Sequence, residues 1–216
     1  LPWRGYIFLM PGFGETAENV LQQTDLPNQL ALNGILTIIP TFQDGVLSFG
    51  VDRLSQQTFD RILKDVTSKH KLIDQKFYVG GFSIGGSCAL KYAENTMIKP
   101  TAVFAIDPPL DFERFYNSAK RDIRLSKDNE ANQENIYMIE RLEKDDTEIK
   151  KMRFLKTFIA ARDIDSKDEN YFAVFNSPAY GRCLLVFTPN EDILNGMKPH
   201  LNKNIVVQLF YKRKMS

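Results

Sequence analysis

The sequence predicts an α/β domain, a three-layer sandwich whose mainly parallel sheet lies between helices. Three observations lead there. Short apolar runs of strand length alternate with longer segments of helical composition, the order that builds a parallel sheet covered on both faces. One of those runs passes into a helix through a serine set among glycines, "GGFSIGG" at 80–86. The chain of 216 residues is long enough for one sizeable core and short for two, so 1–216 is read as a single domain.

The elements follow in order. "RGYIFLM" (4–10) reads as a buried strand, "PGFGET" (11–16) as a glycine loop, and Ala17 to Leu32 as a helix. "GILTIIP" (34–40) is a second strand, ended by Pro40, which has no N–H for a ladder. A helix near 53–68 carries Leu54, Phe59, Ile62, Leu63 and Val66 on one approximate face. "KFYVGG" (76–81) is the third strand, "SCALKYAE" belongs to the helix after the serine, and "TAVFAID" (101–107) is the fourth strand. From Pro108 to about Gly181 the alternation stops. No strong buried strand is read there, and charged helical segments take over as an insertion, with Asp111 as an N-cap for "FERFYNSAKR" and an apolar stripe Ile149, Met152, Leu155, Phe158, Ile159. The sheet resumes with "CLLVF" (183–187) and "IVVQLFY" (205–211).

Composition narrows the function. A formal net charge of +1, with acidic and basic residues interleaved, supplies no field that selects nucleic acid or an anionic membrane. The terminal "YKRKMS" is a short basic run of the kind that is usually a solvated face. No apolar run approaches the ~20 residues of a membrane-spanning helix, which points to a soluble chain. Two cysteines, Cys88 and Cys183, make no disulfide framework and read as small buried hydrophobes. The first residue, Leu1, is not an initiator methionine and no targeting segment follows it, so a trimmed start is expected and the compartment is left open.

The serine is the informative feature. Gly81-Phe82-Ser83-Ile84-Gly85 matches G-x-S-x-G at a strand-to-helix junction, where small neighbours let the backbone turn sharply and project the serine from the carboxyl edge of the sheet. The bland alternative is a tight turn with a solvent-facing serine. Acyl transfer through Ser83 needs donors aimed at the oxyanion. The N–H of Ile84 is one, and the loop "MPGFGET" offers a second, the N–H of Phe13 between Gly12 and Gly14. That loop lacks G-x-x-x-x-G-K-[ST] and opens no G-x-G-x-x-G helix, which disfavours phosphate or dinucleotide binding.

With the strand, the "PGFG" loop, the alternating helices and "GFSIGG" together, the chain resembles the α/β-hydrolase superfamily of serine hydrolases from about Arg4 to Tyr211. The resemblance implies a serine nucleophile, an orienting acid and a histidine base, in that chain order. It also implies that the insertion 108–181 is a helical cap over the site. For the acid, Asp192 follows the late strand in "CLLVFTPNED"; Glu191 beside it and Asp107 at the end of "VFAID" are the alternatives. For the base there are two histidines. His70 precedes the serine in the polar "TSKHKLID" and reads as a surface residue. His200 follows the acid, but in "KPHLNKN" it lies before the last strand, whereas the family's histidine follows it. Nothing beyond "KRKMS" comes after that strand, so either His200 enters from an unusual loop, the sequence belongs to a longer protein, or the base has been lost.

The function implied is a serine hydrolase cleaving a small-molecule carboxylic ester or related acyl bond through an acyl-enzyme, with no metal or organic cofactor. The alternative is a noncatalytic binding protein or scaffold on the same fold. The aromatic stretch "ENYFAVFNSPAY" (169–180) is read either as lining for an acyl pocket or as core. Oligomeric state is not legible.

Overall fold

The computed structural model describes residues 2–41, 50–109, 112–125, 129–145, 171–177, 181–187 and 208–209. Their elements run β1 (Gly5–Met10), α1 (Ala17–Gln23), α2 (Leu26–Leu32), β2 (Ile35–Ile38), α3 (Arg53–Lys69), β3 (Lys76–Phe82), α4 (Ile84–Asn95), β4 (Ala102–Ile106), α5 (Phe112–Leu125), α6 (Asn129–Asp145), β5 (Tyr171–Ser177), β6 (Gly181–Phe187) and β7 (Gln208–Leu209). They form one sheet in the order β2-β1-β3-β4-β6-β5-β7. The pairs β1–β2, β1–β3, β3–β4 and β4–β6 are parallel, while β5 runs antiparallel to both β6 and β7.

Burial explains the strand sequences. All six residues of β1 are buried, because the strand lies inside the sheet and both of its faces are covered. Side chains alternate between faces, and Phe8 meets an aromatic cluster on one of them. Its ring stands edge-on to Phe59 of α3 at 5.7 Å and to Tyr92 of α4 at 5.5 Å, and those two rings meet at 5.8 Å. Tyr92 also stands edge-on to Phe77 of β3, and Phe77 stacks on Tyr6 at 5.1 Å. Edge-on pairs of this kind add to the burial of large apolar area. They fasten α3 and α4 to the first and third strands.

Three sequence expectations change. The helix expected from Ala17 to Leu32 is two helices, because Thr24 is extended (φ −143°, ψ 140°) and closes α1. Pro27 lies at the start of α2, where a proline's missing N–H leaves no helical bond unmade. The face of α3 is also rotated: Phe59 and Leu63 are buried with Gln56 and Thr67, whereas Leu54 in the first turn is exposed. Lastly, the segment from Pro108 to Gly181 does contain a strand, β5, which forms a hairpin with β6 in the register Tyr171↔Phe187 to Ser177↔Gly181. The stretch read as pocket lining or core is therefore largely a sheet strand. Asp111 and the stripe from Ile149 to Ile159 lie outside the described residues, as does most of "IVVQLFY".

Candidate active site

The strand order reverses between β1 and β3. From β1 the chain moves outward to β2, then crosses back to place β3 on the other side of β1. In an open parallel sheet such a reversal leaves a crevice beyond the carboxyl ends of the two strands, the place where ligands bind. The paired ends here are Met10 and Gly81. The loop 11–16 leaves one of them and Ser83 follows the other.

Ser83 has φ 50° and ψ −126°, a left-handed conformation that is strained for a residue with a Cβ. Three backbone bonds hold it there. Its N–H donates to the carbonyl of Ile106 at 2.7 Å, and its own carbonyl accepts from the N–H groups of Gly86 at 2.9 Å and Ser87 at 3.3 Å. Ser83 stands at the N-cap of α4, yet its side chain makes no capping bond, although serine at this position usually does. It is also exposed. The hydroxyl is thus presented at the crevice rather than spent on the helix.

Two glycines make the turn sterically feasible. A Cβ on Gly81 would fall 2.2 Å from the carbonyl oxygen of Gly85, since the first turn of α4 folds back over the end of β3. A Cβ on Gly85 would fall 2.3 Å from the carbonyl oxygen of Pro11 and 2.4 Å from that of Met10. The G-x-S-x-G spacing therefore reflects two backbone-to-backbone contacts. The second presses the start of α4 against the start of the loop 11–16.

That loop carries the predicted donor Phe13, and α4 begins with Ile84. Ile84 is buried, and its N–H is that of the first residue of α4, ahead of the Gly86 and Ser87 amides that bond the Ser83 carbonyl. The Phe13 side chain packs against the core, and its ring lies 5.8 Å from that of Tyr137 on α6. Two features were not read from the sequence. Glu15 folds back so that its carboxylate accepts the Gly12 N–H at 2.6 Å, and the buried Ser87 hydroxyl donates to the Pro109 carbonyl at 2.6 Å. The second bond ties the turn after β4 to the first turn of α4. The spacing of Gly12 and Glu15 was the available signal for the first.

The other predicted residues divide. Asp107 lies one residue beyond β4, next to the Ile106 carbonyl that holds Ser83. His70 is exposed and closes α3. Asp192, Glu191 and His200 lie outside the described residues. Cys88 is buried in α4 five residues after Ser83, its thiol donating to the Gly50 carbonyl at 3.2 Å, and burial pushes its ionisation well up. Among the described residues, no helix is long and apolar enough to cross a membrane.

A mainly parallel sheet in this order, with a strained serine turn at its reversal point and a glycine loop against it, defines an α/β-hydrolase type of fold. No family model matches the chain, and no curated protein matches it. Among solved structures it overlaps one from the metagenome-derived lipolytic enzymes LipS and LipT, at 12% identity and TM-score 0.40, covering 55% of this chain and 48% of the other. A soluble variant of monoglyceride lipase from Saccharomyces cerevisiae overlaps at 20% identity and TM-score 0.39, covering 56% and 42%. The siderophore hydrolase EstB from Aspergillus fumigatus does so at 17% identity and TM-score 0.37, covering 60% and 49%. The chain spans less than half the length of each of these three.

Proposed function

We propose that this chain is a serine hydrolase that cleaves a carboxylic ester or related acyl bond. The observation that carries the reading is Ser83 itself: a serine held at positive φ at the reversal point of the sheet, exposed, with a hydroxyl that does not cap its helix. The solved structures that overlap the chain include proteins named as lipase and hydrolase, which agrees with this class.

In the proposed reaction Ser83 Oγ attacks the acyl carbonyl while a histidine takes its proton. The N–H groups of Ile84 and Phe13 stabilise the oxyanion that forms. The histidine then returns the proton to the leaving alcohol, the C–O bond breaks, and an acyl-serine remains. Water activated by the same histidine hydrolyses it and frees the carboxylic acid. We assign the base to His200 and its orienting acid to Asp192, which follow Ser83 in the order serine, acid, histidine that the resemblance implies, with His200 entering from before the last strand rather than after it. The helices α5 and α6 of the insertion 108–181 act as a cap on this reading, while its strand β5 belongs to the sheet, and the Phe13–Tyr137 contact supports this by bringing α6 against the oxyanion loop.

Turnover of short-chain p-nitrophenyl esters by this chain tests the reading. Ser83→Ala is expected to abolish it, and His200→Gln to lower kcat by about 10²-fold or more, the scale of a lost general base. Undiminished turnover in Ser83→Ala would overturn the assignment.

A further inference from the structure

We infer that Glu15 is a positioning residue for the oxyanion loop, an inference that rests on the reading of Ser83 as nucleophile. The loop between β1 and α1 closes on itself through two bonds. The Gly12 N–H donates to the Glu15 carboxylate at 2.6 Å, and the Glu15 N–H donates to the Gly12 carbonyl at 3.3 Å. A charge-assisted bond to a carboxylate is the stronger kind. It commits the Gly12 amide to the loop, so the donor that this loop offers substrate comes from the residue after it, Phe13. The same ring is fixed at both ends, because Pro11 abuts Gly85 of the serine turn and Thr16 caps α1 through the Asn19 N–H.

Gly12 and Glu15 are also sterically matched. The three nearest neighbours of a Cβ on Gly12 would all be in the Glu15 carboxylate: Oε2 at 2.8 Å, Cδ at 3.1 Å and Oε1 at 3.6 Å. Gly12 does not have a positive φ, so alanine fits its backbone. Gly12→Ala therefore displaces the carboxylate when Glu15 is present and is relieved of these closest contacts when residue 15 is alanine. The two positions form a closed test of coupling.

The experiment is the second-order rate constant for labelling of the chain by a fluorophosphonate, with thermal melting followed in parallel. Glu15→Ala and Gly12→Ala are each expected to lower the rate by on the order of ten- to a hundred-fold, the cost of a misplaced donor. The double variant should fall no further than Glu15→Ala alone. Glu15→Gln, which keeps an acceptor for the Gly12 N–H, should recover the rate to within about three-fold, since the amide stays bonded within the loop although a neutral acceptor holds it less strongly than a carboxylate. Wild-type rates in folded Glu15→Ala, or additive losses in the double variant, would overturn the role of Glu15 while leaving the serine assignment intact. An equal loss in Glu15→Gln would also overturn it. If Glu15→Ala fails to fold, Gly12→Ala against Glu15→Gln decides: an unchanged rate in the first overturns the proposal. A wild-type chain that takes no label removes the nucleophile reading and this inference with it.

Discussion

Ser83 and Asp107 stand side by side at the carboxyl edge of the sheet, each one residue beyond a paired strand end, Phe82 and Ile106, and each at positive φ, 50° and 48°. Strained residues on adjacent strand ends persist only where their surroundings hold them, and they concentrate at functional sites. Here the restraints are the Ser83 N–H bond to Ile106 and the Ser87 bond to Pro109, which lock the two turns to one another.

Relief of that strain gives the first prediction. Ser83→Gly removes the Cβ that opposes positive φ, and a strained backbone of this kind costs about 1–3 kcal/mol, offset by ~0.5–1 kcal/mol of added freedom in the unfolded chain. Urea denaturation should find the variant more stable than wild type by roughly 1 kcal/mol, with fluorophosphonate labelling abolished. A destabilised variant would show that the turn is not strained.

Gly85→Ala should do the reverse. Its Cβ would lie 2.3 Å from the Pro11 carbonyl oxygen, a backbone atom that yields only if β1 or α4 shifts. Overpacking of this sort costs about 1–3 kcal/mol. A lower urea midpoint together with slower labelling of Ser83 is expected, since the contact joins the serine turn to the oxyanion loop.

How much of this was legible in the sequence depends on local chemistry. The first four strands were, because each is a short apolar run bounded by Gly, Pro or Asp, and the serine turn was because its glycines are needed for contacts within a few residues. The break between α1 and α2 was missed although Pro27 tolerates only the first turn of a helix. The strand β5 was missed because Tyr171–Ser177 was read for its aromatic residues. Its short connection to Gly181 was the hairpin signal. Leu54 was misplaced because periodicity does not reveal which end of α3 leaves the sheet. Burial of Gln56 depends on a partner outside the helix, its side-chain amide donating to the Gly50 carbonyl just before α3.

Cys88 gives a pH dependence. Burial first, and the charge of Asp52 second, push its thiol up well above the ordinary value. The unfolded chain therefore releases this proton at a lower pH than the folded one, and as pH rises past about 8.5 the unfolded state is favoured. Stability should fall over pH 8.5–10 in wild type and fall less in Cys88→Ala, by parallel urea titrations. Iodoacetamide at pH 8 should leave Cys88 unmodified until the chain is denatured.

Phe59→Ala tests the core that seats α3 and α4. The ring contacts both Phe8 and Tyr92, so its loss should cost about 3–5 kcal/mol in urea denaturation. A cost below ~1 kcal/mol would mean that these helices are held elsewhere.

The central claim is that Ser83 is an activated nucleophile, and intact-mass analysis before and after a fluorophosphonate, with peptide mapping of the adduct, tests it most directly. One adduct on Ser83, absent from folded Ser83→Ala, is the predicted result. A folded wild-type chain that gains no mass, or an adduct that survives Ser83→Ala, would contradict it.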